Sequence, residues 1–277
     1  MSADHDALFL AAEGDAALCT IVGIDGSFSR RVGAQLAVAR DGRVAGDLAD
    51  NCLNAELANQ SAEAMAEGEV RLLRYGKGSP FIDFRLPCGS GLDIVIDPQP
   101  DRAALRAAVA DIGARRETAL ALPASDFIAT RRYIPPVRLA VLGAGAECAA
   151  LVKLAQAQGI AVDWREAGNG LSLDRVPEDL AADPWTAVLL LFHDHEWEHA
   201  LLEWALSTPA FYIGAQGGAP ARIERLTRLR AGGLGDEQLE RINSPVGLIP
   251  RARDPQVLAL SVLAEVVGAH EALHPHR

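Results

Sequence analysis

From Arg138 onward the chain alternates short, largely apolar runs with helical patterns, and this alternation constrains the fold more than any other feature. RLAVLGAG, IAVDW, AVLLLF and FYIGAQG read as strands, with helices to Gln158, through Trp204 and from Ala219. A strand that is apolar at every position must be covered on both faces, which a parallel sheet flanked by helices achieves. A last helix, about Gln256–Ala269, is apolar on nearly all sides and is expected in the core. Residues 126–277 are therefore expected to form a Rossmann-like parallel-sheet domain.

The first half has a different rhythm. ALCTIVGI (Ala17–Ile24) and AQLAVAR (Ala34–Arg40) are short apolar runs separated by the polar loop DGSFSRRVG, and Asp41–Gly42 offers a two-residue turn into RVAGDL. Asn54 is placed to cap a helix reaching about Glu67. VRLLRY, FIDFRL and LDIVID are three more candidate strands. Strands flanking one helix predict an α+β domain, so the class is α/β, with an N-terminal α+β domain over 1–125. A further helix carries Leu105, Val109 and Ile112 on one side, and Pro135–Pro136 cannot lie inside a helix. The stretch between about Asp97 and Arg138 reads as the joint between domains.

Charge and cysteine usage exclude several classes. Against 26 Lys+Arg stand 37 Asp+Glu, a net charge of −11, which argues against nucleic acid or an anionic membrane as partner. No apolar run approaches the ~18 residues of a membrane span. Asp4 and Asp6 stand where a secretion signal needs positive charge, so a cytoplasmic location is expected. Cysteines 19, 52, 88 and 148 include no C-x-x-C, which predicts neither a disulfide frame nor a structural metal site.

Four constellations carry chemistry. Gly143-Ala144-Gly145 follows a strand and opens a helix, the place where a tight turn and free amides meet a phosphate, and Asp163, twenty residues on, is read as a ribose-binding acid. Glu147 and Cys148 depart from that pattern, the first by placing a carboxylate where a pyrophosphate would lie. His193 closes the AVLLLF strand and leads into His195 and His199, a strand-end position that faces ligands in open α/β sheets. Cys52 precedes or opens a helix and Cys88-Gly89 lies in a turn, both settings that favour a thiolate. Cys19 and Cys148 read as small core residues. Arg30 and Arg31, between Gly26-Ser27 and Gly33, would make an anion-binding loop, whereas Arg222, Arg225 and Arg228 read as a solvated helical stripe.

These pieces resemble, in order and over almost the whole chain, the xanthine dehydrogenase accessory factor (XdhC/CoxI) family. GSFSRRVGAQL is similar to that family's G-S-S-P-R-x-x-G-A-x-M element, GDLADNCLNAE to G-S-x-S-G-G-C-V-E-x-E, and LPCGSGLDIVI to x-x-C-G-G-x-I-x-V-x-I. VLGAGAECAALVKLAQAQGIAVDWRE, FHDHEWEHALLEWAL, YIGAQGG and LERINSPVGL follow in the same order. The family's G-S-R-R after the YIG strand is here Gly217-Gly218-Ala219-Pro220, and its G-G before the first cysteine is Asp50-Asn51.

The resemblance implies a maturation factor that binds molybdenum cofactor (molybdopterin) transiently, supports its sulfuration and delivers it to an apo molybdenum hydroxylase, such as xanthine dehydrogenase or a CO-dehydrogenase-like enzyme. It implies a cysteine desulfurase-type sulfur donor as second partner, and a homodimer is an open expectation. A molybdenum centre bearing sulfur suits thiolates and a pterin phosphate suits arginines, which favours Cys52, Cys88, Gly89, Arg30 and Arg31 over any catalytic set. Gly143, Gly145, Asp163 and His193 form the candidate site of the second domain. The rival reading is an NAD(P)-dependent oxidoreductase working through that second domain, but no hydride-transfer acid–base set accompanies it, and weak or absent NAD(P) binding is expected.

Overall fold

The computed structural model describes residues 3–48, 53–79, 89–123 and 126–276. It divides into two compact units: one holds the chain up to Pro135 together with the tail from His274, and the other runs Pro136–Leu273.

The first unit contains α1 (Ala3–Glu13), β1 (Ala16–Asp25), β2 (Gln35–Ala39), β3 (Val44–Gly46), α2 (Asn54–Glu67), β4 (Arg71–Gly76), β5 (Gly91–Asp97), α3 (Arg102–Gly113), β6 (Thr118–Ala121) and β7 (Thr130–Tyr133). Five of the strands form an antiparallel sheet in the order β3-β2-β1-β5-β4. Alternation sorts their side chains to two faces. Cys19, Ile21, Leu36, Ile94 and Ile96 point toward Leu57, Ala64 and Met65 of α2. Ala16, Leu18, Ala37 and Ala39 face Leu8 and Ala11 of α1 and Leu105, Ala108 and Ile112 of α3. Helices on both faces explain why β1 is buried along most of its length without the alternation of a one-sided strand. Each fully buried Leu or Ile here contributes about 1.5–3 kcal/mol relative to exposure.

Local details depart from the sequence reading. The β2–β3 turn centres on Arg40 and Asp41, since the Gly42 N–H donates to Ala39 O at 3.0 Å. Leu53, not Asn54, stands at the α2 cap position. FIDFRL lies outside the described residues. The stretch from Asp97 to Arg138 is folded rather than a joint: Asp101 caps α3 by accepting from the Ala103 and Ala104 amides, and β6 and β7 pair as a hairpin. The units part between Pro135 and Pro136, against the 125/126 line drawn from the sequence.

The tail closes on this same unit. The Arg132 amide donates to His276 Nε2 at 2.9 Å. Burial, with Arg131, His274, Arg132 and Arg31 nearby, lowers the His276 pKa from 6.5 to about 4. The docked imidazole therefore stays neutral where a free one takes up a proton, so this contact loses stability as pH falls from 6.5 toward 4 and is unaffected above that window. The protection factor of the Arg132 amide, its exchange rate corrected for the intrinsic pH dependence of exchange, is expected to fall across that range in the native chain and to be independent of pH in His276→Ala.

The second unit contains β8 (Arg138–Gly143), α4 (Ala146–Ala157), β9 (Ala161–Ala167), β10 (Gly170–Leu171), β11 (Thr186–Leu191), a 3-10 turn (His195–Trp197), α5 (Glu198–Ser207), β12 (Tyr212–Ala215), α6 (Ala219–Ala231), α7 (Asp236–Glu240), β13 (Ile242–Asn243) and α8 (Pro255–Ala272). Its six strands run parallel in the order β10-β9-β8-β11-β12-β13. The order reverses between β8 and β11, the switch point of a Rossmann-like sheet. α4 and α8 cover one face, around Leu139, Val141, Leu189 and Val262. α5 and α6 cover the other, around Leu142, Val188, Leu190, Leu202 and Leu229. The α8 helix is not apolar-packed all round as its sequence suggested: Leu258, Val262 and Val266 are buried, but Leu260 is 56% exposed.

Candidate functional site

In the first unit, residues 26–34 link β1 to β2 and carry both candidate arginines. Arg30 Nη2 lies 2.5 Å from Asp47 Oδ2, so its charge is already matched by a carboxylate, while Arg31 is half-buried. The far end of the loop is fixed from beneath. Arg131 is 1% exposed, donates from Nε to Gly33 O at 2.5 Å, and lies 4.4 Å over the Tyr133 ring. The Tyr133 hydroxyl donates to Gln35 Oε1 at 2.5 Å, and Gln35 Nε2 donates to Thr20 Oγ1 at 2.9 Å. The near end is tied to the turn before β5, because the buried Ser90 hydroxyl donates to Ser27 O. Gly89 beside it is exposed, with open space where a side chain would stand.

Cys52 and Cys88 lie outside the described residues. Their described flanks are Asp47, which holds Arg30, and Ser90, which holds Ser27, and both bond to the one arginine loop. The other two cysteines are buried and reduced. Cys19 Sγ sits 3.3 Å from Ser61 Oγ, the Cys148 thiol donates to Leu191 O at 3.8 Å, and burial pushes each thiol pKa up to about 12. Neither can supply a thiolate near neutral pH. Among the described residues no group of three or more His, Cys, Asp and Glu could hold a metal ion.

In the second unit, Gly143 ends β8 in register with Leu191 of β11, and a Cβ there would fall 2.3 Å from Leu191 O. Only glycine fits that approach at φ 139°. Glu147 stands in the first turn of α4, with Oε2 3.4 Å from where a Gly145 Cβ would lie and Oε1 3.6 Å from His193 Nε2. A carboxylate thus occupies the mouth of the turn. His193 is 70% exposed. Asp163 is not at a strand end as its spacing suggested: it is the third residue of β9, paired opposite Ala140, and Arg165 Nε holds it at 2.5 Å. β9 continues to Ala167, so the carboxylate near its carboxyl end is Glu166.

Next to this mouth lies a network that sequence reasoning missed. Arg225 is not part of a solvated stripe. It is 6% exposed and donates from Nε and Nη2 to Glu198 at 2.8 and 3.1 Å, from Nη1 to Ser244 Oγ at 2.7 Å and from Nη2 to Gln216 O at 2.7 Å. Glu198, 2% exposed, in turn accepts from His195 Nδ1 at 3.0 Å. An arginine every three residues does not say which one turns inward. The available signal was Glu198, an acid that opens the helix after an apolar strand and stands three residues beyond a histidine.

Two compact α/β units, the second with a reversed-order parallel sheet and a glycine turn at its switch point, define a Rossmann-containing two-unit protein. Residues 9–76 match the family model of the XdhC and CoxI family, and residues 139–266 match that of the XdhC Rossmann domain. The chain is 35% identical over 271 residues to the molybdenum cofactor insertion chaperone PaoD of Escherichia coli (strain K12), covering 91% of this chain and 83% of that protein. It is 25% identical over 316 residues to a protein of Bacillus subtilis (strain 168) named as a probable xanthine dehydrogenase component, covering 91% and 92%. The fold matches a crystal structure described as a xanthine dehydrogenase from Bacillus halodurans, with TM-score 0.73, 20% identity, and coverage of 99% and 97%. The chain belongs to the XdhC and CoxI family.

Proposed function

We propose that this protein is a maturation factor for a molybdenum hydroxylase: it receives molybdenum cofactor as cargo, holds it through sulfuration and passes it to the apoenzyme. The observation that carries this reading is the 35% identity, over nearly all of the chain, to a molybdenum cofactor insertion chaperone. We assign the cargo to the first unit. There Arg31, Gly89 and the loop amides before Gly33, whose own N–H donates to Ile21 O, offer donors to a phosphate, and Cys52 and Cys88 offer soft sulfur ligands. Arg30 joins them only by sharing Asp47. The protein acts as a carrier rather than a catalyst, in the cytoplasm, with a cysteine desulfurase-type enzyme as sulfur donor; self-association into a homodimer belongs to the same proposal. No described helix is long and apolar enough to cross a membrane. Mass spectrometry of small molecules released from anaerobically purified protein is expected to yield a pterin. A nicotinamide nucleotide in its place would overturn the assignment.

The rival, nicotinamide-dependent reading is disfavoured by Glu147, whose carboxylate would face a pyrophosphate at the α4 N-terminus. Calorimetric titration is expected to find NAD(P) binding weaker than micromolar, that is, less than ~8 kcal/mol. Glu147→Val is expected to strengthen whatever binding exists; a low-micromolar native site would sink this expectation.

A further inference from the structure

The His195–Glu198–Arg225 network borders a cavity of about 350 Å³ between α5 and α6, lined also by His199, Leu202 and Arg228. That volume lies within the range of small-molecule sites. Three features build the position of the His195 ring. Its Nδ1–H is held by the buried Glu198 carboxylate, and that carboxylate is locked by two bonds from Arg225. Gly217, at φ 116°, makes room on the ring's other side, where a Cβ would come within 3.1 Å of Cε1. A buried ion pair is an expensive way to stabilise a fold, and its best use is to hold a neighbouring group in one orientation.

We propose that this cavity is a binding site for a small phosphate monoester, separate from the first unit's cargo loop. His195 Nε2 has no hydrogen bond to any described residue, and Arg228 has no ion pair among the described residues. His195 Nε2 and the Arg228 guanidinium are the two groups offered to a phosphoryl group, and His199, 26% exposed, stands beside them with its Nε2 3.5 Å from Glu203 Oε1. Leu202, Ala221 and Leu229 line the cavity with apolar surface for an organic body. Of the acids that line the cavity, Glu198 is matched by Arg225, Asp194 accepts from the Glu196 amide, and Asp194, Glu196 and Glu224 are exposed, where solvent and salt screen their charge.

The test titrates inorganic phosphate into the full-length protein at constant ionic strength, followed by phosphorus NMR and by the ring signals of His195. A saturable response is expected, with His195 among the residues that shift. Arg228→Ala is expected to weaken it ~10-fold or more, as loss of a charged hydrogen-bond donor does. Arg222→Ala, exposed and nearer the start of the same helix, is expected to leave it unchanged. The proposal is overturned by a response that does not saturate, by one that survives Arg228→Ala undiminished, by equal weakening in Arg222→Ala, or by acetate binding as tightly as phosphate.

Discussion

Arg225→Met is expected to lower the stability of the second unit by about 3–5 kcal/mol, the usual cost of leaving one partner of a buried ion pair without the other. Arg225 and Glu198 are 6% and 2% exposed, so water cannot replace the lost guanidinium. The substitution also strips Ser244 Oγ and Gln216 O of their donor. Glu198→Ala is expected to cost a similar amount by stranding Arg225. The double variant Glu198→Leu, Arg225→Met removes both charges and is expected to recover much of the loss. All four tryptophans, residues 164, 185, 197 and 204, lie in the second unit, so denaturant unfolding followed by tryptophan fluorescence reads that unit alone. A loss below ~1 kcal/mol in Arg225→Met, the level of an exposed pair, would contradict the burial of this pair.

The second large effect is expected in the first unit. The double variant Cys52→Ser, Cys88→Ser keeps side-chain size but removes both thiols proposed as soft ligands, so it is expected to fold as the parent does and to lose retained molybdenum cofactor. Activation of a client hydroxylase falls with it. Cys19→Ala is expected to behave in the opposite way, retaining cofactor but losing about 1 kcal/mol or more of stability, because its sulfur is fully buried beside Ser61. Cofactor content by mass spectrometry and unfolding by circular dichroism separate the two outcomes. A double variant that holds cofactor and activates the client at the parent level would remove the two thiols from the site.

The parallel sheet was legible because its central strands β8, β11 and β12 are nearly continuous apolar runs, as in Thr186–Leu191. The antiparallel sheet was partly legible, since β1, β2 and β5 are also nearly continuous apolar runs. The helix α1 went unread because half of its buried residues are alanines, Ala7, Ala11 and Ala12, and Asp4, His5 and Asp6 stand at its start. The β6–β7 hairpin was hidden by its short strands and by the prolines at 123 and 135. Asp163 misled because a fixed residue count assumes a fixed strand length, and β9 runs on past the expected end. The Glu198–Arg225 pair joins residues 27 apart on different helices, and local periodicity carries no information about such a partner. The arginine loop was found from its glycines and charges, but Arg131 beneath it sits 98 residues from Gly33, beyond any local pattern.

The closure of the first unit by His276 has a consequence for biosynthesis. Arg132 leaves the ribosome long before the residue that accepts its amide proton, and all of Pro136–Leu273 is translated between them. The nascent first unit can assemble its sheet and helices early, yet that one amide waits for the tail. Until residue 276 emerges, the edge around Gly33 and Arg131 is without the imidazole that packs on it in the finished protein. The contact that closes the edge beside the arginine loop's anchor is therefore made only after residues 136–273 have been translated, whatever the earlier part of the chain has already folded.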